Sequence, residues 1–158
     1  MTISEAISYM RRAVHDVSDE YSETDYLTFL NEAVRETAVL LASLRYAPLI
    51  RETILTNGDT LPSDFLLSVG CHPYRLTEGK VKLDGGRTQL TLRYYGAPQE
   101  LTASDTLPFT PAITEAVLLT AVIRALRHNE YDTSAEEAHL ANLRTALAAT
   151  LAPKGARP

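Results

Sequence analysis

Few residues in this chain have the types and spacing that chemistry requires. Cys71 and His72 stand side by side, a thiol next to a potential base, which is the composition of a nucleophilic catalyst. On an extended strand, however, adjacent side chains point to opposite faces, so this spacing separates nucleophile from base. The burial preference of cysteine makes a partly buried, inert thiol the expected state. His15, His128 and His139 show no H-x-x-x-H or similar spacing, and a metal site would need further ligands. Asp16, Asp19 and Glu20 form one acidic group and Glu136–Glu137 another. The second suits the positive end of a helix dipole, while the first reads as a solvated link. Asp84-Gly85-Gly86 is a turn and not a phosphate cradle, because no helix follows it. These residues carry no catalytic constellation, and neither a metal nor a cofactor is expected.

A basic segment is the other candidate. Arg75, Lys80, Lys82, Arg87 and Arg93 face only Glu78 and Asp84 within residues 75–97. Tyr74, Tyr94 and Tyr95 lie among them, as aromatic residues do on many nucleic-acid surfaces. The same cations fit a solvated sheet face or contact with an acidic neighbouring subunit equally well. The flanking regions are acidic and the net charge is −5, which argues against general affinity for phosphates.

The elements that position these residues follow from periodicity. With 158 residues, 45% of them apolar, the chain fits one globular domain, expected over residues 1–152. The lone cysteine excludes an internal disulfide, and no apolar run nears the roughly 20 residues that span a bilayer. The first residues lack a basic, apolar leader, so synthesis in the cytoplasm without export is expected. A first helix is predicted over about 3–17. Thr2 and Glu5 form a capping box, and Ile3, Ile7, Met10, Val14 and Val17 form an apolar stripe. A second is predicted over about 23–44, opening at Ser22 and Asp25 and antiparallel to the first across a short polar link. Pro48 stops it.

A β-rich insert is expected over about 50–97. It comprises Ile50–Thr56, a tight turn at Asn57-Gly58, the run Phe65–Val69, and a hairpin of Val81–Leu83 with Gln89–Tyr95 across Asp84-Gly85-Gly86. A third helix is predicted from Pro111 to about His128 and is apolar almost all round. Such a helix is either central to the fold or covered in part by another subunit. The fourth, over about 134–151, opens with a predicted Ser134–Glu137 capping box and carries Leu140, Leu143, Leu147 and Leu151 on one stripe. Residues 153–158 read as a flexible tail. The expected fold class is α+β, mainly α: a four-helix bundle with a small antiparallel β region between helices 2 and 3.

Three segments, in order, are similar to the head–tail connector (adaptor) proteins of tailed bacteriophages. They are Tyr21-Ser22-Glu23-Thr24-Asp25-Tyr26-Leu27-Thr28-Phe29-Leu30-Asn31-Glu32-Ala33, then Thr53 through Asn57-Gly58 to Leu61-Pro62-Ser63-Asp64, then Leu92 through Gly96-Ala97-Pro98 to Asp105-Thr106-Leu107-Pro108. The resemblance implies a structural virion protein of the neck, without enzymatic activity. It implies a dodecameric ring below the portal protein that extends the channel for double-stranded DNA and presents a platform to a downstream tail or stopper protein. It also implies that the C-terminal segment reaches the portal, which points to Leu151, Pro153, Lys154 and Arg157 as portal-binding residues. The middle region is shorter than in longer members of the family. A nucleic-acid-binding module using residues 75–93 is the alternative.

Overall fold

The computed structural model describes residues 1–15 and 21–151. Its elements run α1 (Ile3–Ala13), α2 (Glu23–Ser43), a short 3-10 turn (Ala47–Leu49), and β1 (Ile50–Thr56). Then come β2 (Phe65–Ser68), β3 (Tyr74–Thr77), β4 (Lys80–Leu83), β5 (Gln89–Gly96), α3 (Pro111–His128) and α4 (Ser134–Leu151). The fold is therefore α+β and mainly α, with the β region inserted between α2 and α3. The chain gathers into two compact units, Met1–Thr37 with Gln99–Pro158, and Ala38–Pro98.

The helical unit is built on reciprocal caps. At α1 the Glu5 backbone N–H donates to the Thr2 hydroxyl at 3.2 Å, and the Thr2 N–H donates to the Glu5 carboxylate at 2.7 Å. Ser22 and Asp25 repeat the device at α2, at 3.2 and 2.9 Å. Both pairs satisfy amides that a helix start would leave without partners. α1 ends at Ala13 and not near Val17: the Val14 N–H turns back to the Met10 carbonyl, and His15 enters the left-handed region at φ 53°. Val17 and the polar link expected after it lie outside the described residues.

Ile3, Ala6, Ile7 and Met10 of α1 meet Tyr26, Leu30, Ala33 and Val34 of α2 and Val117, Leu118, Ala121, Val122 and Ala125 of α3 in one core. Two polar groups beside this core, Tyr21 and Asn31, bond across the helical unit. The Tyr21 hydroxyl donates to the Ala125 carbonyl at 2.7 Å. Asn31 takes both backbone groups of Leu101, accepting at 2.7 Å and donating at 3.1 Å. That bond gives the Leu30-Asn31-Glu32-Ala33 step its structural role, because it fixes the chain entering α3 against α2.

Of the two alternatives for α3, the first holds: the helix is central, with most positions from Ile113 to Ala125 buried within the chain. One expectation for the helices changes. At α4 the Ser134–Glu137 capping box does not form. Asp132 accepts from the Ser134 N–H at 3.0 Å, and Glu137 turns to the Thr133 hydroxyl and to Arg127, because an aspartate just before the helix already satisfies that amide.

In the β unit, β5 is central. It pairs antiparallel with β1 (Leu55 opposite Leu90, Thr53 opposite Leu92) and with β2 (Leu67 opposite Tyr95). The expected β4–β5 hairpin is absent, because both edges of β5 are occupied and β4 pairs with β3. Gly85 and Gly86, each at φ 68°, carry the chain from one sheet to the other in a conformation that costs a residue with a Cβ. Leu55, Val81, Leu83, Leu90, Leu92 and Tyr94 form the core here. Asp64, from the Leu-Pro-x-Asp step, pairs with Arg51 and accepts from the Tyr94 hydroxyl at 3.1 Å. Gly96 permits that pair, since a Cβ there would lie 2.6 Å from the Asp64 carboxylate.

Leu92 is fully enclosed. Leu92→Ala should lower unfolding free energy by about 2–5 kcal/mol, read from a denaturant titration; a loss within experimental error would contradict this packing.

Candidate interaction surfaces

The structure divides the basic segment. Arg93 lies directly opposite Glu52 in the β1–β5 ladder and pairs with it at 2.9 Å, so its charge is engaged. Arg87 sits in the loop before β5 with its carbonyl held by the Asn57 side chain at 3.3 Å. The other three cations come together on the β3–β4 hairpin. Arg75 stands opposite Lys82, and Thr77 opposite Lys80. Because opposed residues share a face and alternate residues share a face, Arg75, Lys80 and Lys82 all project from one side.

The opposite side is the one that anchors the hairpin, through buried Val81 and Leu83. Glu78 at φ 52° and Gly79 at φ 77° form its turn, the left-handed pair that matches the twist of two antiparallel strands. Backbone bonds hold its base: the Gly58 N–H donates to Val81 at 2.9 Å, and the Val81 N–H donates to Asp59 at 2.8 Å. The Asn57 carbonyl oxygen accepts from the Leu83 N–H at 2.7 Å. Asp59 also accepts from the Thr56 N–H and hydroxyl, which hold its carboxyl below the usual carboxylate range. The Asn57-Gly58 turn thus serves to seat the hairpin. Like charges directly opposed on a ladder repel. Only Asp84, 3.9 Å from the Arg75 guanidinium, offsets them, and Lys80 and Lys82 have no ion pair among the described residues.

A second polar surface, which sequence reasoning missed, is a cleft of about 580 Å³ within the helical unit, bordered by α2, α3 and α4. Phe29, Ile123 and Leu140 contribute its apolar surface. Arg124 donates to Glu32 at 2.7 Å and to Glu36 at 2.8 Å, and Arg144 donates to Glu36 at 2.6 Å. Burial pushes the Glu36 carboxyl up, but the bonds from Arg144 and Arg124 outweigh it and hold the group below its ordinary value. The pairing of Glu36 with residues some ninety and more positions away leaves no local trace in the sequence; only the Glu32–Glu36 spacing of one helical turn hints at it.

The remaining candidates disperse. Cys71 is exposed, not partly buried, because it follows Gly70 (φ 79°) in the connection between β2 and β3 and lies on no strand. The His72 ring is bonded to the Val69 carbonyl at 3.1 Å. His128 packs against the rings of Tyr21 and Phe29, and His139 is exposed on α4. Among the described residues no three His, Cys, Asp or Glu side chains are grouped to hold a metal ion. Leu151 closes α4 half-buried, while Pro153, Lys154 and Arg157, like Asp16, Asp19 and Glu20, lie outside the described residues. No described helix is long and apolar enough to cross a membrane. Compared with known proteins, the sequence matches no family model and no curated protein.

Glu36→Gln should cost about 1 kcal/mol after allowance for solvent screening, since the Glu36 side chain is 40% exposed. A carboxyl with a depressed folded pKa contributes its stability above its unfolded value and loses it as pH falls through the folded value. The gap between wild type and variant should therefore be full at pH 7 and shrink below about pH 4, followed by thermal unfolding.

Proposed function

We propose that the chain is a structural subunit of a tailed-phage head–tail connector. Copies would form a ring below the portal protein, dodecameric as the resemblance implies, that extends the DNA channel and offers a platform to a downstream tail or stopper protein. The observation that carries this reading is the placement of the β unit between α2 and α3, in the order the resemblance implies. The residues behind the resemblance have identifiable work in the fold: Asn31 clasps Leu101, Ser22 and Asp25 cap α2, and Asp64 ties β1 to β5.

Two features support a subunit role. Cations cluster on the β unit and acids dominate the helical unit, which suits heterologous contacts between copies. The net charge of −5 also suits a wall past which DNA slides, because few phosphates are neutralised. The tail with Pro153, Lys154 and Arg157, continuing from Leu151, is the proposed contact with the portal. The second reading, a nucleic-acid-binding module, is favoured by the three cations on one face of the β3–β4 hairpin.

Electron microscopy of particles that incorporate the tagged full-length chain tests the proposal. A ring of this chain directly below the portal is expected; a chain that stays solitary beside portal protein while turning over a substrate would overturn the reading. For the second reading, DNA affinity should fall steeply with salt and weaken in Arg75→Ala/Lys80→Ala/Lys82→Ala. Affinity indifferent to both excludes it.

A further inference from the structure

We infer that the cationic face of the β3–β4 hairpin docks on the Glu130–Tyr131–Asp132 corner of a second copy of this chain. The inference rests on the connector reading and names the contact through which its copies would meet.

The hairpin side of the contact is electrostatically incomplete. Arg75 and Lys82 are opposed on one face, Lys80 extends the row, and the Arg75 side chain is 64% exposed. A neighbour that meets this face should therefore offer negative charge and, for the Arg75 guanidinium, an aromatic ring face.

The α3–α4 corner offers both. The Glu130 N–H donates to the Arg127 carbonyl and the Tyr131 N–H to the Leu126 carbonyl, each at 3.1 Å, so the segment closes α3 with Glu130 at φ 60°. Tyr131 follows, 57% exposed. Glu130 has no ion pair among the described residues. Asp132 is kept ionised by the bonds it accepts from Ser134. An exposed tyrosine between two carboxylates attracts cations to the ring face and to the charges beside it. Tyrosine is also enriched at interface centres, where it brings large area at small entropic cost.

The two surfaces are different parts of the chain, so the contact is heterologous: each copy gives a hairpin to one neighbour and a corner to the other. Such contacts propagate and close into a ring when the rotation permits. An electrostatic contact of this kind also weakens with salt, as the screening length falls from about 10 Å at 0.1 M to about 3 Å at 1 M.

The geometry allows a charge-exchange test on the full-length chain. Arg75→Glu/Lys82→Glu makes hairpin and corner both negative; Glu130→Lys/Asp132→Lys makes both positive. Sedimentation velocity over a concentration series should show wild-type association that weakens with salt. Each variant alone should associate about tenfold or more weakly. An equimolar mixture should recover wild-type association, because every contact in an alternating assembly again joins opposite charges. Circular dichroism checks folding, and since Asp132 caps α4, Lys82→Glu and Glu130→Lys serve as the milder pair. A wild-type chain that stays monomeric at every concentration, variants that associate as wild type does, or a folded mixture without recovery would each overturn the contact. So would a hairpin variant that loses duplex-DNA affinity while self-association is untouched. The connector reading fails separately, if copies associate through this contact but no ring forms at the portal.

Discussion

α3 is apolar around most of its circumference, and that constraint organises the rest of the helical unit. A helix apolar around its circumference has to be enclosed, and every polar group on it needs a partner inside the enclosure. The structure meets the first demand within one chain and most of the second, the Arg124 Nε being a buried donor without an acceptor among the described residues. Val117, Leu118, Ala121, Val122 and Ala125 join the core with α1 and α2. The Thr120 hydroxyl returns to the Ala116 carbonyl at 2.8 Å, and Tyr21 takes the Ala125 carbonyl. Removing Tyr21 would therefore cost packing and leave a buried carbonyl short of a donor.

With the apolar requirement of α3 met internally, the described surface carries many charges beside exposed apolar side chains such as Val39, Ile54, Leu67 and Leu76. Much of the acidic surface is occupied locally: Glu5, Asp25, Asp59 and Asp105 each bind back to a Ser or Thr three residues earlier and are held below the usual carboxylate range. Glu32, Glu36 and Glu137 are paired with arginines. Lys80 and Lys82 of the hairpin have no ion-pair partner among the described residues.

Most of the architecture was legible because it is written in local pattern. The Thr2–Glu5 box, the Ser22–Asp25 box and Pro111 marked helix starts that the structure keeps. Alternation in Gln89–Tyr95 gave the buried face of β5 through Leu90, Leu92 and Tyr94. The failures were matters of partner choice. Asp84-Gly85-Gly86 looks like a hairpin turn, but which strand β5 joins depends on competition for its two edges, which no local spacing encodes. The true hairpin turn, Glu78-Gly79, was hidden because glutamate is an unusual occupant of a left-handed position. Among site residues, the basic segment was visible as composition, yet only register separates Arg93, spent on Glu52, from Arg75, Lys80 and Lys82. The Glu36–Arg124–Arg144 network joins three helices and could not be read from any one of them.

Hydrogen exchange on the chain at a dilution where it is monomeric tests the central claim most directly. If α3 is covered by its own chain, the amides of Val117 to Ala125 should be among the slowest to exchange, and their rates should be the same in dilute and concentrated samples. Rapid exchange in the dilute sample, slowing only as copies assemble, would show that other subunits supply the cover and would contradict the account.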